Sequence, residues 1–228
     1  MKTNPQILYV TSFQELDSTP FVESVNALCW QRKLVGDFAE IVHSIKSISN
    51  ITIIEKEHLT ALALSEEGEK ARAILLNDMN LLEQAGASPT LNLITHYERD
   101  ETNAFFSTDV YSFHVDRSPV PTHTFLCTYY GEPSNILPNE QAEQKIRLPH
   151  IRRALQQEYG VSDEVLDAFA REHFFDLHYQ AAQDSTIISA GRGNLWKLAV
   201  DYPNCPTHPC IHSAPLEKPG EPRLLLIC

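Results

Sequence analysis

Apolar positions recur along this chain in two rhythms. "QILYVT" and "NALCWQR" are short apolar runs of strand length, and "GDFAEIVHSIKSI" then has the spacing of an amphipathic helix. Residues 57–86, "EHLTALALSEEGEKARAILLNDMNLLEQAG", set Leu59, Leu62, Leu75, Leu76 and Leu82 among charges, which predicts a helical pair closed by Gly86 with Pro89 just beyond. After Pro89 the pattern turns to β. "TLNLITHYE", "AFFSTDVYSFHVD" and "HTFLCTYY" are rich in Thr, Tyr, Phe and Val, with turn residues between them. A second helical block over about 139–180 interrupts the strands, with Leu155, Val165, Leu166, Phe169, Phe174 and Phe175 at mixed helical spacings. Strands resume in "STIISAG", "LWKLAV", "PCIHSAP" and "RLLLIC", punctuated by Gly and Pro. There is no internal repeat, low-complexity tract or linker.

Many short strands divided by turns predict a mainly β fold, a barrel or sandwich, with helices placed before it and inserted within it. The 228 residues, 43% hydrophobic, suffice for one core and read as a single domain over 1–228. Residues 1–88 would supply N-terminal strands and a helical buttress, and 89–228 the barrel, with the helical insertion at about 139–180. No apolar run approaches the roughly eighteen residues of a membrane span, and "MKTNPQILYVTSFQEL" lacks a signal-peptide pattern. The expectation is a soluble, unexported, cytoplasmic protein with no membrane partner. Five cysteines, an odd number scattered along the chain, suit reduced thiols. A net charge of −12 argues against nucleic acid as a partner, and the absence of any recognisable macromolecule-binding module points to a small-molecule substrate. Oligomeric state is not legible.

One stretch of the β region carries chemistry. In "YSFHVDRS", His114 and Asp116 are two positions apart, so on a strand they share a face while Val115 points the other way. A metal site needs a third donor, and His212 in "CIHSAP" is the best candidate. Two imidazoles and one carboxylate on a single face, with open positions opposite, form the arrangement used by non-haem Fe(II) oxygenases. Eleven residues beyond His212 stands Arg223, at the head of "RLLLIC" and suited to a bidentate grip on a carboxylate.

This pattern, His-x-Asp, a distant His and an Arg about ten residues later, resembles the Fe(II)/2-oxoglutarate-dependent dioxygenases. The resemblance covers roughly 89–228. It implies a double-stranded β-helix, a jelly-roll or cupin-like barrel, in which His114, Asp116 and His212 would hold Fe(II) and Arg223 the distal carboxylate of 2-oxoglutarate. With dioxygen, such an enzyme converts 2-oxoglutarate to succinate and CO2 and hydroxylates a C–H bond, here of a small molecule such as an amino acid or derivative. Hydroxyls of Thr128, Tyr129 and Tyr130, on the strand after His114, are candidates to support the co-substrate carboxylate. "FHVD", "FLCTYYG" and "HSAP" also look like an uncharacterised bacterial family loosely linked to zinc-homeostasis gene neighbourhoods. The alternative is therefore a metal-binding or metal-homeostasis protein on the same barrel without turnover, with iron or zinc as the native metal.

Other constellations carry less. "NCPTHPCIH" packs Cys205, His208, Cys210 and His212 together, but no Cys-x-x-Cys pair supports a zinc site and the prolines favour a stiff loop. Trp30 and Arg32 would line a barrel mouth, and Asn92, Asn103 and Asn135 are unranked co-substrate donors. His150, Arg152 and Arg153 read as a solvated helix face, His96, His123, His173 and His178 as structural, and "GRGN" at 191–194 as a hairpin turn.

Overall fold

The computed structural model describes residues 4–100, 107–173, 178–218 and 220–228. The N-terminal region contributes β1 (Ile7–Val10), α1 (Phe13–Ser18), β2 (Ala27–Trp30), α2 (Phe38–Ser44), β3 (Ile51–Ile54), α3 (Lys56–Thr60) and α4 (Glu66–Gln84). The Ser65 hydroxyl accepts from the Gly68 N–H to start α4, and Gly86, at φ +85°, ends the segment after it. Ala71, Leu75, Met79 and Leu82 form the buried stripe of α4. A close approach of loop and helix needs Gly36: at φ +98°, a Cβ there would lie 2.5 Å from the Ala71 nitrogen.

From residue 90 the strands are β4 (Thr90–Ile94), β5 (Phe113–His114), β6 (His123–Tyr130), β7 (Asn135–Leu137), β8 (Ala142–Gln144), β9 (His178–Ala181), β10 (Ile188–Ser189), β11 (Leu195–Ala199), β12 (Ile211–Ser213) and β13 (Arg223–Ile227). Between β8 and β9 run α5 (Pro149–Tyr159) and α6 (Asp163–His173). The architecture is mixed α/β, with a seven-stranded sheet ordered β1-β2-β11-β6-β13-β4-β3 and a six-stranded sheet ordered β10-β7-β12-β5-β9-β8. Among the strands of the described residues only β1 and β2 pair in parallel.

Alternation along the strands assigns each face. Leu224 and Leu226 of β13 join Phe125, Cys127, Leu91 and Leu93 in a core against α2 and α4. Leu225, Leu126, Ile94, Trp196 and Leu198 point the opposite way, to a second core shared with Ile136 of the six-stranded sheet and Cys210 just before β12. Polar groups on this second face therefore lie between the sheets, and Arg223, two residues before Leu225, belongs to that row.

Three expectations change. The block over 139–180 is not helical throughout: its ends are β8 and β9, which extend the six-stranded sheet beside β5, while α5 and α6 close over a small core of their own around Ile151, Leu155 and Leu166. Gly191 and Gly193 take positive φ, but the turn carries the chain from β10 in one sheet to β11 in the other, so it is not a hairpin. The short α1 and β3 add elements that the apolar pattern did not mark. Phe174, Phe175, Asn103 and the start of "AFFSTDVYSFHVD" lie outside the described residues.

Candidate metal centre

β5 is a two-residue strand, and it is held from both sides. His114 pairs with His212 of β12 and, on its other edge, with His178 of β9. Beyond β5 the chain is fastened by the Asp201 N–H, which donates to the Asp116 carbonyl at 2.8 Å, and by the Arg117–Asp201 ion pair at 3.2 Å. His114 and Asp116 thus project to one side, as the two-residue spacing predicts. Among the described residues, His114, Asp116 and His212 are the one group of three metal-ligating side chains that converges, with donor atoms all within 4.8 Å of one another.

The orientation of the rings is set by the backbone. His114 Nδ1 lies 2.8 Å from the Ser112 carbonyl oxygen and His212 Nδ1 lies 3.3 Å from that of Cys210. A carbonyl only accepts, so each Nδ1 carries a proton, which in the neutral ring leaves the lone pair on Nε2. Those Nε2 atoms face Asp116, at 4.0 Å from Oδ1 for His114 and 3.7 Å from Oδ2 for His212. These gaps are too long for hydrogen bonds, but two metal–ligand bonds of about 2.1 Å span up to about 4.2 Å. The donor set fits a divalent transition metal, with backbone carbonyls orienting both imidazoles from behind.

Electrostatics agree with ligation. Burial, and then repulsion from His212, push His114 down to about 4, so it is neutral at pH 7. Burial works to raise Asp116, but His212, the Thr124 hydroxyl and His114 outweigh it and hold the carboxyl below its ordinary value. Thr124, on the inward row of β6, donates to Asp116 Oδ2 and fixes the carboxylate.

Four residues along that row, Thr128 meets Arg223. Arg223 is 3% exposed, and its Nη2 donates to Thr128 Oγ1 at 3.0 Å and to Ser134 Oγ at 2.6 Å, with the Tyr97 phenol also facing it. Its Nε is buried without a partner, and among the described residues no carboxylate forms an ion pair with it. Burial lowers its pKa, opposed by Tyr97 and, more weakly, by the Glu217 carboxylate, which faces it without forming an ion pair. No family model, curated protein or solved structure matches this chain. The site is therefore read from its own geometry.

Tyr129 is a correction. Adjacent strand residues face opposite sides, so Thr128 and Tyr129 cannot both turn toward Arg223. The Tyr129 phenol donates to Asp78 Oδ2 at 2.6 Å on the helix side of the sheet, and a bulge in the β6–β13 register sends Tyr130 to that side too. Trp30 and Arg32 are there as well, with the guanidinium 4.6 Å above the indole and paired to Asp78 at 2.8 Å, not at a barrel mouth. The thiol-rich loop does not assemble: Cys210 is buried in the core between the sheets, Cys205 bonds to the Thr207 and Val200 carbonyls, and His208 is exposed. Asn92 bonds back to the Thr90 carbonyl, and Asn135 lies in β7 opposite Ser189 and Ser213. Arg152 pairs with Asp163 and Asp167 at the surface, in keeping with a solvated face. Thr124, Ser134 and Tyr97 join the site's surroundings without having been singled out, and His178, read from the sequence as structural, stands beside His114; only Thr124, on the same row as Thr128, was readable from alternation.

Proposed function

We propose that this chain is a non-haem Fe(II)/2-oxoglutarate-dependent dioxygenase that hydroxylates a C–H bond of a small molecule. The observation that carries the reading is the combination of a converged His114–Asp116–His212 triad with a buried arginine lacking an acidic partner on the facing sheet. Along β6, Thr124 touches Asp116 and Thr128 touches Arg223. Four strand residues cover about 13 Å, which a guanidinium arm and a five-carbon dicarboxylate together can bridge.

The strand order supports a double-stranded β-helix. Numbering β4, β5, β6, β7, β10, β11, β12 and β13 as strands one to eight, one sheet runs one-eight-three-six and the other five-four-seven-two, the arrangement of a jelly roll. β8 and β9 then enter as part of the insertion between the fourth and fifth strands.

In this reading His114, Asp116 and His212 hold Fe(II), which supplies the activation of dioxygen. Arg223 binds the distal carboxylate of 2-oxoglutarate, and the Thr128 and Ser134 hydroxyls keep its fork in plane. Tyr97 adds a phenol at the same end. Iron titration under anaerobic conditions tests the ligands. His114→Ala, Asp116→Ala and His212→Ala should each lose stoichiometric Fe(II), while Cys205→Ser and Cys210→Ser keep it. Full occupancy in any two of the triad variants would remove the assignment.

A further inference from the structure

The six-stranded sheet presents a row of three imidazoles. His212, His114 and His178 are register partners across β12, β5 and β9, so all three side chains stand on the same face. Ring centroids are 4.6 Å apart for His114–His212 and 5.7 Å for His114–His178. His178 is not part of the converged triad, and it differs from the other two in one respect. Its Nδ1 is buried and has no hydrogen-bond partner, where theirs are anchored on carbonyls.

Lys145 approaches the same position from the opposite end of the insertion. It follows β8, as His178 begins β9, so the two strands that frame α5 and α6 each bring one of these groups to the edge of β5. The ammonium donates to the Ser107 carbonyl at 3.1 Å and to Ser112 Oγ at 2.6 Å, both neutral acceptors, and forms no ion pair among the described residues. With three protons on the ammonium, one donor is left over. Lys145 acts electrostatically on His178; of the carboxylates, Asp109 faces both groups and Asp100 faces His178 as well.

We propose that His178 and Lys145 form an anion-binding wall, supplied by the insertion, that receives a carboxylate or phosphate group of a small-molecule substrate beside the triad. A half-buried ammonium held by neutral oxygens and a buried ring nitrogen without a partner are unsatisfied in the free protein, and an anion satisfies both. This rests on the dioxygenase reading for the word substrate, but the wall is made of protein groups alone and is testable without metal.

The test uses metal-free protein carrying ¹⁵N-histidine, titrated with acetate and with inorganic phosphate, so that coordination to a metal cannot contribute. One of the two anions should saturate and shift the ring nitrogens of His178, identified by their absence in His178→Phe. Lys145→Gln should weaken that binding about tenfold or more, the loss expected for a charge-assisted hydrogen bond. His178→Phe should weaken it as well while leaving Zn(II) affinity within about threefold. Lack of saturable binding, unchanged affinity in Lys145→Gln, transfer of the whole effect to Arg223→Ala, or loss of Zn(II) in His178→Phe would each overturn the wall. The iron titration above fails or succeeds separately.

Discussion

Two buried arginines stand on opposite faces of the seven-stranded sheet, and they are satisfied in opposite ways. Arg32, on the helix side, has a side chain 8% exposed, pairs with the fully buried Asp78 at 2.8 Å, and donates through Nε to the Gly193 carbonyl at 2.9 Å. Burial works against its charge, yet the Asp78 hydrogen bond and the neighbouring Cys127 and Tyr129 more than compensate and raise its pKa. Arg223, between the sheets, has two hydroxyls and a phenol instead, an unpaired Nε, and a pKa lowered by burial. The first is a closed structural ion pair tying α4 to the strands. The second is a cation with no carboxylate in ion-pair contact, only Glu217 acting on it from further off, and in the proposed reading its anion is the co-substrate. Burial alone does not separate the two arginines; the absence of a contacting counter-ion does.

The sharpest way to break this contrast is to remove each partner. Asp78→Ala leaves Arg32 buried and uncompensated, and should lower the unfolding free energy in urea by about 3–5 kcal/mol. Arg223→Met removes a desolvated cation that makes no ion pair among the described residues, so the metal-free protein should change by no more than about 1 kcal/mol. Equal losses in the two variants would mean that Arg223 is a structural charge like Arg32.

Next in size is the response to acid. His114 and His178 are both held down to about 4, by burial first and then by neighbouring positive charge. An unfolded histidine titrates near 6.5, so below that pH the unfolded state binds protons that the folded state refuses. Stability of the metal-free protein should be full above about 6.5 and fall as pH drops toward 4, by roughly 3 kcal/mol for each histidine. His178→Gln should reduce the proton uptake on unfolding near pH 5 by about one, measured from the slope of unfolding free energy against pH. A flat profile between pH 4 and 6.5 would contradict the burial of these rings.

Smaller again is Tyr129→Phe. Its phenol donates to Asp78 on the helix side of the sheet, so the variant should lose about 1–2 kcal/mol of stability and, if the proposed function holds, keep its affinity for 2-oxoglutarate within about twofold. A selective loss of 2-oxoglutarate binding would return Tyr129 to the site.

The sequence was legible where chemistry and periodicity coincide. "HTFLCTYY" is β6 residue for residue, "RLLLIC" contains β13, and the two-residue spacing of His114 and Asp116 places both on one face. His178 was not legible, because its significance comes from pairing with a strand 64 positions earlier, and long-range register leaves no local trace. β8 and β9 were hidden for a similar reason: three or four residues flanking strongly periodic helices look like helix ends. Asp78 gives no sign, in "LLNDMN", that it is buried; that depends on Arg32 and Tyr129 arriving from other strands. Alternation did contain the answer for Tyr129, since its neighbour Thr128 occupies the inward position.

In the proposed function Arg223 and the triad form one site for 2-oxoglutarate and Fe(II). Anaerobic titration with both, followed by the weak visible charge-transfer band of the chelate, decides whether they do. The wild-type protein should develop the band at one equivalent of iron. Arg223→Ala should keep iron but need roughly thirtyfold more 2-oxoglutarate or beyond, as expected for the loss of about 2–5 kcal/mol from a buried charge-assisted pair, with Arg223→Lys between them. A wild-type protein that binds iron and never shows the band, or an Arg223→Ala variant that titrates like wild type, would contradict the account.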